Sequence, residues 1–292
     1  MVPQMSPPQA PRVAVVTVSY GSTAVLPAFL ASLPAASAAP IEVVVADNKP
    51  ELAVAELSTA WGARYLPLPE NRGYGGAANA AIETLPDSVK WVLVSNPDVI
   101  LAPGAIDALL VVGEEDARIA VVGPAILTAD GDLYPSARTI PSLRTGVGHA
   151  LFMNLWGDNP WTRAYRHDAE SHFGVRRDVG WLSGACLLIR RSAFEQLGGF
   201  DPGYFMYFED VDLGYRLGKL GYRNVYLPVA VVTHTGAHST TTESGRMIRA
   251  HHDSARRFLN KKYAGPMLWP IRAALTVGLS VRSWLVSRRQ GH

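Results

Sequence analysis

Short apolar runs alternate along the first half of the chain with segments whose apolar positions recur every three or four residues. The runs are rich in valine and isoleucine, which is typical of buried strands, and the recurring spacing is typical of helices that bury one face. Five strands are predicted, at residues 12–20, 41–47, 63–68, 91–95 and 119–127. Four helices are predicted between them, at residues 23–33, 51–61, 74–85 and from about Pro103. This alternation predicts an α/β fold, in which a mostly parallel central sheet is flanked by helices.

The pattern changes after residue 125, where turns rich in Pro, Tyr and Trp interrupt it. A strand-like run covers residues 180–191, two helices are predicted around a glycine-rich turn within residues 192–222, and a last strand is predicted at residues 224–234. The sequence contains no internal repeat, and no long linker separates the two halves. We therefore expect the second half to pack against the first and to supply a second side to a shared crevice.

Composition narrows the class of protein. Hydrophobic residues make up 48% of the chain and charged residues 18%, which is typical of a core-forming globular protein. Residues 1–11 are rich in Pro and Ala and are predicted to be a disordered leader. They lack the cationic start and apolar core of a signal peptide, which favours a cytoplasmic protein. Because Cys186 is the single cysteine, an internal disulfide and a multi-cysteine metal site are both excluded.

The formal net charge of +2 conceals an uneven distribution. Residues 244–292 carry ten Lys and Arg against one acid, whereas residues 1–243 carry 17 against 24. A basic end suggests an anionic partner, and no nucleic-acid-binding motif accompanies it, so a membrane surface is favoured over a nucleic acid. Residues 263–292 have a basic amphipathic pattern with two Trp, which predicts a helix lying on an anionic membrane surface. The alternative is a helix packed on the protein's own core or on a second copy in a homo-oligomer.

Polar residues follow the apolar runs at the predicted carboxyl ends of the strands. In a parallel sheet those ends meet at one edge, where ligands bind. Asp47 at such an end is either a turn or helix cap, or an acceptor for the ring N–H of a pyrimidine. We expect one crevice to contain Thr17, Ser19, Asp47, Asn48, residues 71–75, Asn96 and Asp98.

The tripeptide Asn96-Pro97-Asp98 ends the predicted strand at residues 91–95. All three residue types favour turns, so a solvated turn is one interpretation. The other is that Asp98 points into the crevice and binds a hard divalent cation, Mg²⁺ or Mn²⁺, that bridges to a substrate's phosphates. His234, just after the last apolar run, would complete the coordination of that cation if it faces the same crevice. Otherwise it is a surface histidine.

The segment ENRGYGGAANAA, residues 70–81, also has two interpretations. Its glycines imitate a dinucleotide fingerprint with Asp98 about 20 residues further on, which would indicate an NAD(P)-dependent oxidoreductase. A true fingerprint follows the first strand, whereas this one follows the third. The preferred interpretation is a helix start whose backbone N–H groups, with Asn71 and Arg72, approach a nucleotide diphosphate.

Acidic and aromatic residues are concentrated in residues 204–222, YFMYFEDVDLGYRLGKLGY. Glu209, Asp210 and Asp212 open a predicted helix that ends with basic residues, which complements the helix dipole. Aromatic neighbours would raise a carboxylate's pKa, as a general base needs, although the dipole opposes this effect. The segment, with Asp201 just before it, is therefore either dipole complementation or a site of general-base catalysis.

Seven segments, in order along residues 12–260, are similar to those of a known family: TVSYGS, ADN, NRGYGGAAN, SNPDV, GWLSGACLLIRRSAFEQLGGFD, YFMYFEDVDLGYRLGKLGY and THTGAHST. They resemble glycosyltransferase family 2, whose members have the Rossmann-like GT-A fold. The resemblance implies that Asp210 is the catalytic base, with Glu209 beside it, and that Asp98 binds Mg²⁺ or Mn²⁺. Asn96 stands where the family has the first acid of its DxD motif, which favours His234 as a second metal ligand. The substrate-binding residues that it implies are Thr17, Ser19, Asp47, Asn48, Asn71, Arg72, Gly73, Gly75, Asn79, Asn96, Trp181, Ser183 and Gly184.

The segments LYPSARTIPSL, NPWTRAYR and VGWLSGACLLIRRSAF resemble, within that family, the cell-wall rhamnosyltransferases of actinobacteria. This resemblance implies inverting transfer of L-rhamnose from dTDP-rhamnose to the GlcNAc of a polyprenyl-diphosphate-linked acceptor. It implies a GT-A domain at residues 12–262, with a nucleotide-sugar-binding half (12–124) and an acceptor half (125–262), followed by the membrane-surface segment. The alternatives are another nucleotide-sugar or acceptor, a non-catalytic nucleotide-sugar-binding module, and a glycoside hydrolase that acts through carboxylates.

Overall fold

The computed structural model describes residues 10–142, 174–236 and 244–270. The strands are β1 (Val13–Ser19), β2 (Ile41–Asp47), β3 (Arg64–Pro67), β4 (Trp91–Ser95), β5 (Val99–Leu101), β6 (Ile119–Leu127), β7 (Leu133–Tyr134), β8 (Ala137–Arg138), β9 (Arg177–Val179), β10 (Trp181–Leu182), β11 (Cys186–Arg190) and β12 (Arg223–His234). The helices are α1 (Leu26–Ala36), α2 (Leu52–Ala60), α3 (Gly73–Glu83), α4 (Ala105–Glu115), α5 (Arg191–Leu197), α6 (Glu209–Lys219) and α7 (Ser244–Lys262), followed by a 3-10 helix at Pro266–Leu268.

Ten of these strands form one mixed sheet, whose main order is β3-β2-β1-β4-β11-β6-β12-β5. Strands β1, β2, β3 and β4 pair in parallel, as do β6 and β12. β11 is antiparallel to both of its neighbours, β4 and β6, and β5 is antiparallel to β12. Because β11 runs against β4, its first residues lie at the same edge of the sheet as the last residues of β1 and β4.

Side chains alternate between two cores along the central strands. Val13 and Val15 of β1 point to one face, where they pack with α1 and α4. Ala14 and Val16 point to the other face, where they pack with α3, α5 and α6. A strand covered on both faces needs apolar residues at every position, which explains the unbroken valine-rich runs. A third, smaller cluster around Phe258 attaches α7 to the helix α6 and to the turn before it.

The predicted α/β fold with a mostly parallel sheet flanked by helices is confirmed. Every strand and helix predicted up to residue 127 is present. The strand-like run at residues 180–191 is instead two strands, β10 and β11, because the chain turns at residues 183–185. β5 and α7 had no sequence prediction; β5 is only three residues long and follows the Asn96-Pro97-Asp98 turn directly.

Both predicted halves of the chain contribute to the one sheet, since β11 and β12 from the second half pair with β4 and β6 from the first. Most of the predicted leader, and the predicted surface helix beyond residue 270, lie outside the described residues. Within the described part of the chain, no helix combines the length and apolar character needed to cross a membrane.

Candidate active site

Polar side chains at the ends of the central strands lie at one edge of the sheet, as predicted. The parallel register places Ser19 beside Asp47 and Thr17 beside Ser95, and the antiparallel β11 begins beside Ser95. All four side chains are buried. The Thr17 hydroxyl has no hydrogen-bond partner among the described residues, so it retains its capacity to bond a ligand.

The Asp47 carboxylate supports the turn that follows β2. It accepts hydrogen bonds from the backbone N–H groups of Lys49 and Glu51, each at 3.2 Å, and from the Tyr65 hydroxyl at 3.1 Å. Burial raises the pKa of Asp47 above its ordinary value, and these donors act in the opposite direction. The carboxylate is thus held by donors from the protein itself. The contact with thymine stays a prediction.

Asp98 and His234 lie face to face, because β5 pairs with the end of β12 and sets His234 opposite Val99. Asp98 Oδ1 is 3.0 Å from His234 Nε2, and Asn96 Nδ2 is 3.3 Å from the same nitrogen. The Asp98 side chain is 15% exposed and the His234 side chain 28%, so both are partly accessible to solvent. The structure therefore brings together the two residues that the sequence suggested as metal ligands.

A carboxylate and an imidazole at this separation fit a divalent cation whose other ligands are water and phosphate oxygens. Mg²⁺ is usually held by one or two protein carboxylates together with substrate phosphates. Within the three described stretches of the chain, no group of three or more His, Cys, Asp or Glu side chains is placed to hold a metal. A cation at Asp98 and His234 would thus need the substrate's diphosphate to complete its coordination.

Asn48 fixes the turn that opens α3. Its amide nitrogen donates to the carbonyl oxygen of Gly73 at 3.0 Å, and its amide oxygen accepts from the backbone N–H of Arg72 at 3.0 Å. Asn71 Oδ1 accepts from the N–H of Gly73 at 2.9 Å. Gly73 has a φ of +69°, and a Cβ there would lie 2.0 Å from the carbonyl oxygen of Phe205. Asn48 and Gly73 therefore shape the turn, and Arg72 is left as the exposed cation beside it.

Asn79 and Gly75 lie behind this turn and hold α3 against the segment that leads to α6. Asn79 makes two hydrogen bonds to the backbone of Phe200, one at 2.8 Å to its carbonyl oxygen and one at 2.9 Å from its N–H. A Cβ on Gly75 would lie 2.9 Å from Phe200 Cβ. The side-chain amide of Asn79 is thus used within the protein, which indicates a supporting role for this predicted binding residue.

Asp210 lies near the start of α6, with its carboxylate bonded to two backbone N–H groups. Gly184 donates to Oδ2 and Val211 donates to Oδ1, each at 2.8 Å. Burial raises the pKa of Asp210, while the two N–H groups and the positive charge of Arg138 oppose that rise. The carboxylate is therefore oriented by the backbone and more basic than an exposed aspartate.

Glu209, the neighbouring acid, is only 7% exposed. Its Oε2 has no hydrogen-bond partner among the described residues. Burial, together with the negative charge of Asp210, raises the pKa of Glu209 to about 8. Burial and the proximity of the two carboxylates therefore both favour a proton on this pair.

Tyr74 connects the start of α3 to the turn before β11, and no sequence pattern singled it out. Its hydroxyl donates to the carbonyl oxygen of Gly184 at 2.6 Å. Burial raises the pKa of Tyr74 well above its ordinary value, and the negative charges of Glu209, Asp210 and Asp98 add to the rise. The turn that carries Asp98 adjoins the same segment, because the N–H of Asn96 donates to the carbonyl oxygen of Ala185 at 2.9 Å. That Asp98 and Asp210 face one cleft stays a prediction. A partly buried tyrosine within NRGYGGAAN leaves no periodic signal that marks it as polar.

Trp181 and Ser183 lie just before Gly184, the residue whose N–H contacts Asp210. The Trp181 ring nitrogen donates to the carbonyl oxygen of Thr139 at 3.0 Å, and the N–H of Ser183 donates to the carbonyl oxygen of Ser136 at 2.7 Å. The β8–β10 pair places the Arg138 guanidinium 5.9 Å from the centre of the Trp181 ring. Arg138 is a second functional candidate that the sequence did not single out.

The other two acids of the segment are structural. Asp212 is fully buried and pairs with Arg216 Nε at 2.5 Å and with Lys261 Nζ at 2.7 Å. Asp201 pairs with Arg257 at 2.8 Å and with Lys261 at 2.9 Å. Burial on its own would raise the pKa of Asp201, but the hydrogen bonds from these two cations lower it overall. Both carboxylates therefore anchor α7 instead of facing the cleft.

The family model "Glycosyltransferase like family 2" matches residues 10–252. The chain belongs to glycosyltransferase family 2. This confirms the family that the seven segments indicated. The alternatives of an NAD(P)-dependent oxidoreductase and of a glycoside hydrolase have no comparable support.

Two relatives of this glycosyltransferase are rhamnosyltransferases. The N-acetylglucosaminyl-diphospho-decaprenol L-rhamnosyltransferase of Mycobacterium tuberculosis is 45% identical over 288 residues, which cover 94% of this chain and 92% of that protein. Rhamnosyltransferase WbbL of Escherichia coli strain K12 is 39% identical over 84 residues, or 29% of this chain and 32% of the relative. The first similarity extends over nearly the full length of both proteins.

Two solved structures share the fold of this glycosyltransferase. Mannosyltransferase PcManGT from Pyrobaculum calidifontis, in complex with GDP-Man and Mn²⁺, matches with a TM-score of 0.58 at 17% identity, over 91% of this chain and 69% of that one. GalNAc-T7 with UDP, GalNAc and Mn²⁺ matches with a TM-score of 0.58 at 16% identity, over 84% of this chain and 47% of that one. These likenesses confirm the GT-A-like fold.

Proposed function

We propose that this glycosyltransferase transfers L-rhamnose, with inversion, from dTDP-β-L-rhamnose to the GlcNAc of a polyprenyl-diphosphate-linked N-acetylglucosamine, a step in building the arabinogalactan linker of a cell wall. The observation that carries the proposal is the 45% identity to the mycobacterial L-rhamnosyltransferase over 94% of this chain. The geometry supports it, because Asp98 lies against His234 as a candidate metal-binding pair and the Gly184 N–H orients Asp210 as a candidate base.

The donor is proposed to bind along the carboxyl ends of β1 and β2 and the start of α3. Thr17, Ser19 and Asp47 would hold the thymine, with the free Thr17 hydroxyl supplying a hydrogen bond. The turn at residues 71–73 would face the diphosphate, where the exposed Arg72 adds positive charge.

Asp98 and His234 are proposed to hold Mg²⁺ or Mn²⁺, with Asn96 beside them. Two fold neighbours bind Mn²⁺ together with a nucleotide or nucleotide-sugar, which supports a divalent cation here. A bound divalent cation neutralises the negative charge that grows on the departing diphosphate.

Asp210 is proposed to be the base. As the acceptor oxygen attacks C1 of the rhamnose, Asp210 takes the hydroxyl proton, the new C1–oxygen bond forms, and the bond from C1 to the phosphate oxygen breaks with its electrons on dTDP. Attack from the face opposite the leaving group converts the β-linked donor into an α-linked product. Burial and the neighbouring Asp210 raise the pKa of Glu209 to about 8, so Glu209 is proposed to stay protonated beside the base at neutral pH.

The most direct test uses a panel of nucleotide-sugars with a prenyl-diphosphate-GlcNAc acceptor, with and without EDTA. We expect transfer from dTDP-rhamnose that EDTA removes and Mg²⁺ or Mn²⁺ restores. In the Asp210→Asn variant transfer should disappear while dTDP affinity stays within a few-fold of wild type. Asp253→Asn, which removes an exposed carboxylate on α7, is the matched control. Transfer from another nucleotide-sugar, or turnover retained by Asp210→Asn, contradicts the proposal.

We also propose that the protein binds peripherally to the cytoplasmic face of the plasma membrane, where a polyprenyl acceptor lies. Met267 and Trp269 follow α7 with 91% and 65% of their surface exposed, and the sequence after them adds Arg272, Arg282, Arg288 and Arg289. Exposed apolar groups next to cations suit the headgroup region of an anionic leaflet.

Removal of residues 265–292 tests this membrane proposal. We expect the truncated protein to lose binding to vesicles that contain an anionic lipid, and the full chain to bind those vesicles more strongly than uncharged ones. Met267→Ser with Trp269→Ser should weaken binding in the same direction. Unchanged partitioning of the truncated protein contradicts membrane attachment, and a change in oligomeric state on truncation identifies the tail as a contact between copies.

A further inference from the structure

Two consecutive residues before α6 have an unfavourable backbone conformation. Tyr207 and Phe208 have φ values of 68° and 66°, and they are the non-glycine residues with positive φ in the described part of the chain. Bulky side chains rarely occupy this left-handed region, and such geometry persists only where the surroundings hold it. Phe208 immediately precedes Glu209, the first residue of α6.

Helix α7 holds this turn from outside the cleft. The Ser254 hydroxyl, which is buried, donates to the carbonyl oxygen of Met206 at 2.8 Å. The ring of His251 makes edge-to-face contacts with Tyr207 and Phe208, with centroid distances of 5.5 Å and 5.4 Å. Two residues one turn apart on α7 thus contact the two strained residues and the residue before them.

The opposite side of the turn rests on the start of α3. The carbonyl oxygen of Phe205 accepts from the N–H of Tyr74 at 3.1 Å, and Gly73 approaches it too closely for any Cβ. α7 is itself anchored, because Lys261 pairs with both Asp201 and Asp212. The turn is therefore held between two fixed elements.

We propose that Ser254 and His251 are positioning residues, by which α7 holds the Met206–Phe208 turn in the conformation that directs Asp210 toward Gly184. Asp210 lies two residues after Phe208, so a rotation at the strained residues would move its carboxylate away from the Gly184 N–H that it now contacts at 2.8 Å. The inference rests on the proposed role of Asp210 as the base and goes beyond it, because it assigns a role to a helix that does not touch the cleft.

The test compares Ser254→Ala and His251→Ala with wild type. We expect kcat for rhamnosyl transfer to fall on the order of tenfold or more, as a small displacement of a catalytic group does, while the Kd for dTDP stays within about twofold, because the donor side depends on other elements. His251→Phe keeps an aromatic ring against Tyr207 and Phe208 and should retain most of kcat. Asn260→Ala, at an exposed position on the same helix, is the control.

A second readout does not depend on turnover. Hydrogen exchange of the Gly184 amide, measured by NMR, should become faster in Ser254→Ala and His251→Ala and stay unchanged in His251→Phe and Asn260→Ala. Wild-type kcat and wild-type exchange in the first two variants overturn the proposal. A loss of kcat accompanied by equal losses in dTDP affinity and thermal stability also overturns the proposal, because it would mean that the substitution loosens the whole protein. If wild type transfers no sugar, the proposed function fails, and the exchange of the Gly184 amide still decides the positioning role.

Discussion

The N–H of Gly184 and the carboxylate of Asp210 are joined by a 2.8 Å hydrogen bond across 26 residues of sequence. The carbonyl oxygen of the same glycine accepts from Tyr74 at 2.6 Å. The peptide groups around Gly184 therefore connect α3, the start of β11 and α6, the three elements that surround the cleft. A carboxylate held by backbone donors keeps its direction before substrate arrives, which favours catalysis through preorganisation.

His234→Ala should weaken metal binding, because it removes one of the two proposed protein ligands. We expect the Mn²⁺ concentration for half-maximal transfer to rise by about tenfold or more. Asn96→Asp adds a carboxylate beside the same nitrogen of His234 and should lower that concentration. Titration of activity with Mn²⁺ after EDTA treatment measures both. Equal metal dependence in wild type and His234→Ala would show that the histidine is not a ligand.

Glu209→Gln should stabilise the protein at alkaline pH. The folded-state pKa of Glu209 is raised from an ordinary value of 4.5 to about 8, so the folded protein binds a proton that the unfolded chain releases. The resulting stability is fully present below about pH 4.5 and is lost as pH rises toward about 8. Glutamine keeps the shape without the charge.

Thermal unfolding at pH 5 and pH 9 measures the effect of Glu209→Gln. The variant should match wild type at pH 5 and unfold at a higher temperature at pH 9, by more than about 2 °C if the cost of the charge exceeds about 1 kcal/mol. The control is Glu70→Gln, at a side chain that is 74% exposed. If Glu209→Gln raises the unfolding temperature equally at both pH values, the charge of Glu209 is not the cause.

Gly73→Ala should disrupt the turn that faces the diphosphate. Its φ of +69° costs an L-residue about 1 to 2 kcal/mol, and the new Cβ would also lie 2.0 Å from the carbonyl oxygen of Phe205. Gly104 has a φ of +70°, and a Cβ added there would meet nothing within 4 Å, so Gly104→Ala isolates the backbone cost. Urea unfolding and the Kd for dTDP should both change more for Gly73→Ala. Equal effects would refute the steric argument.

Asp212→Asn should destabilise the protein without removing a group from the cleft. The carboxylate is fully buried between Arg216 and Lys261, and loss of one partner of a buried pair costs about 3 kcal/mol. Asp253→Asn breaks the exposed pair with Arg256 and should change the free energy of unfolding by less than about 1 kcal/mol. Urea unfolding of the two variants compares them directly. A small effect at Asp212 would mean that solvent screens the pair.

The apolar pattern was sufficient for the layered fold, because strands covered on both faces must be apolar throughout. It did not reveal that β11 is antiparallel between β4 and β6, since strand direction leaves no trace in composition. β5 was missed because three residues, one of them the exposed Ile100, are too short to show a period. Yet β5 is what places Asp98 against His234.

Residue types were sufficient to single out the acids and the histidine as candidate site residues. The roles of the asparagine side chains depend on tertiary contacts that residue type does not reveal. Asn48 and Asn79 have the side chain that a ligand-binding asparagine would have, but both form hydrogen bonds with backbone groups of the protein itself. α7 escaped prediction because its polar face dominates its composition, although Ala255, Phe258 and Leu259 have helical spacing. Tertiary contact, not local pattern, decides these cases.

The insertion of β11 at the centre of the sheet has a consequence for biosynthesis. Neighbouring β4 and β6 are complete once residue 127 has been made, but the strand that bridges them ends only at Arg190. During translation the nascent chain must carry unpaired strand edges on β4 and β6 until then, and such edges invite pairing with other molecules. A gene fragment that stops at residue 127 should therefore yield insoluble protein, and refolding of the intact polypeptide should be slow.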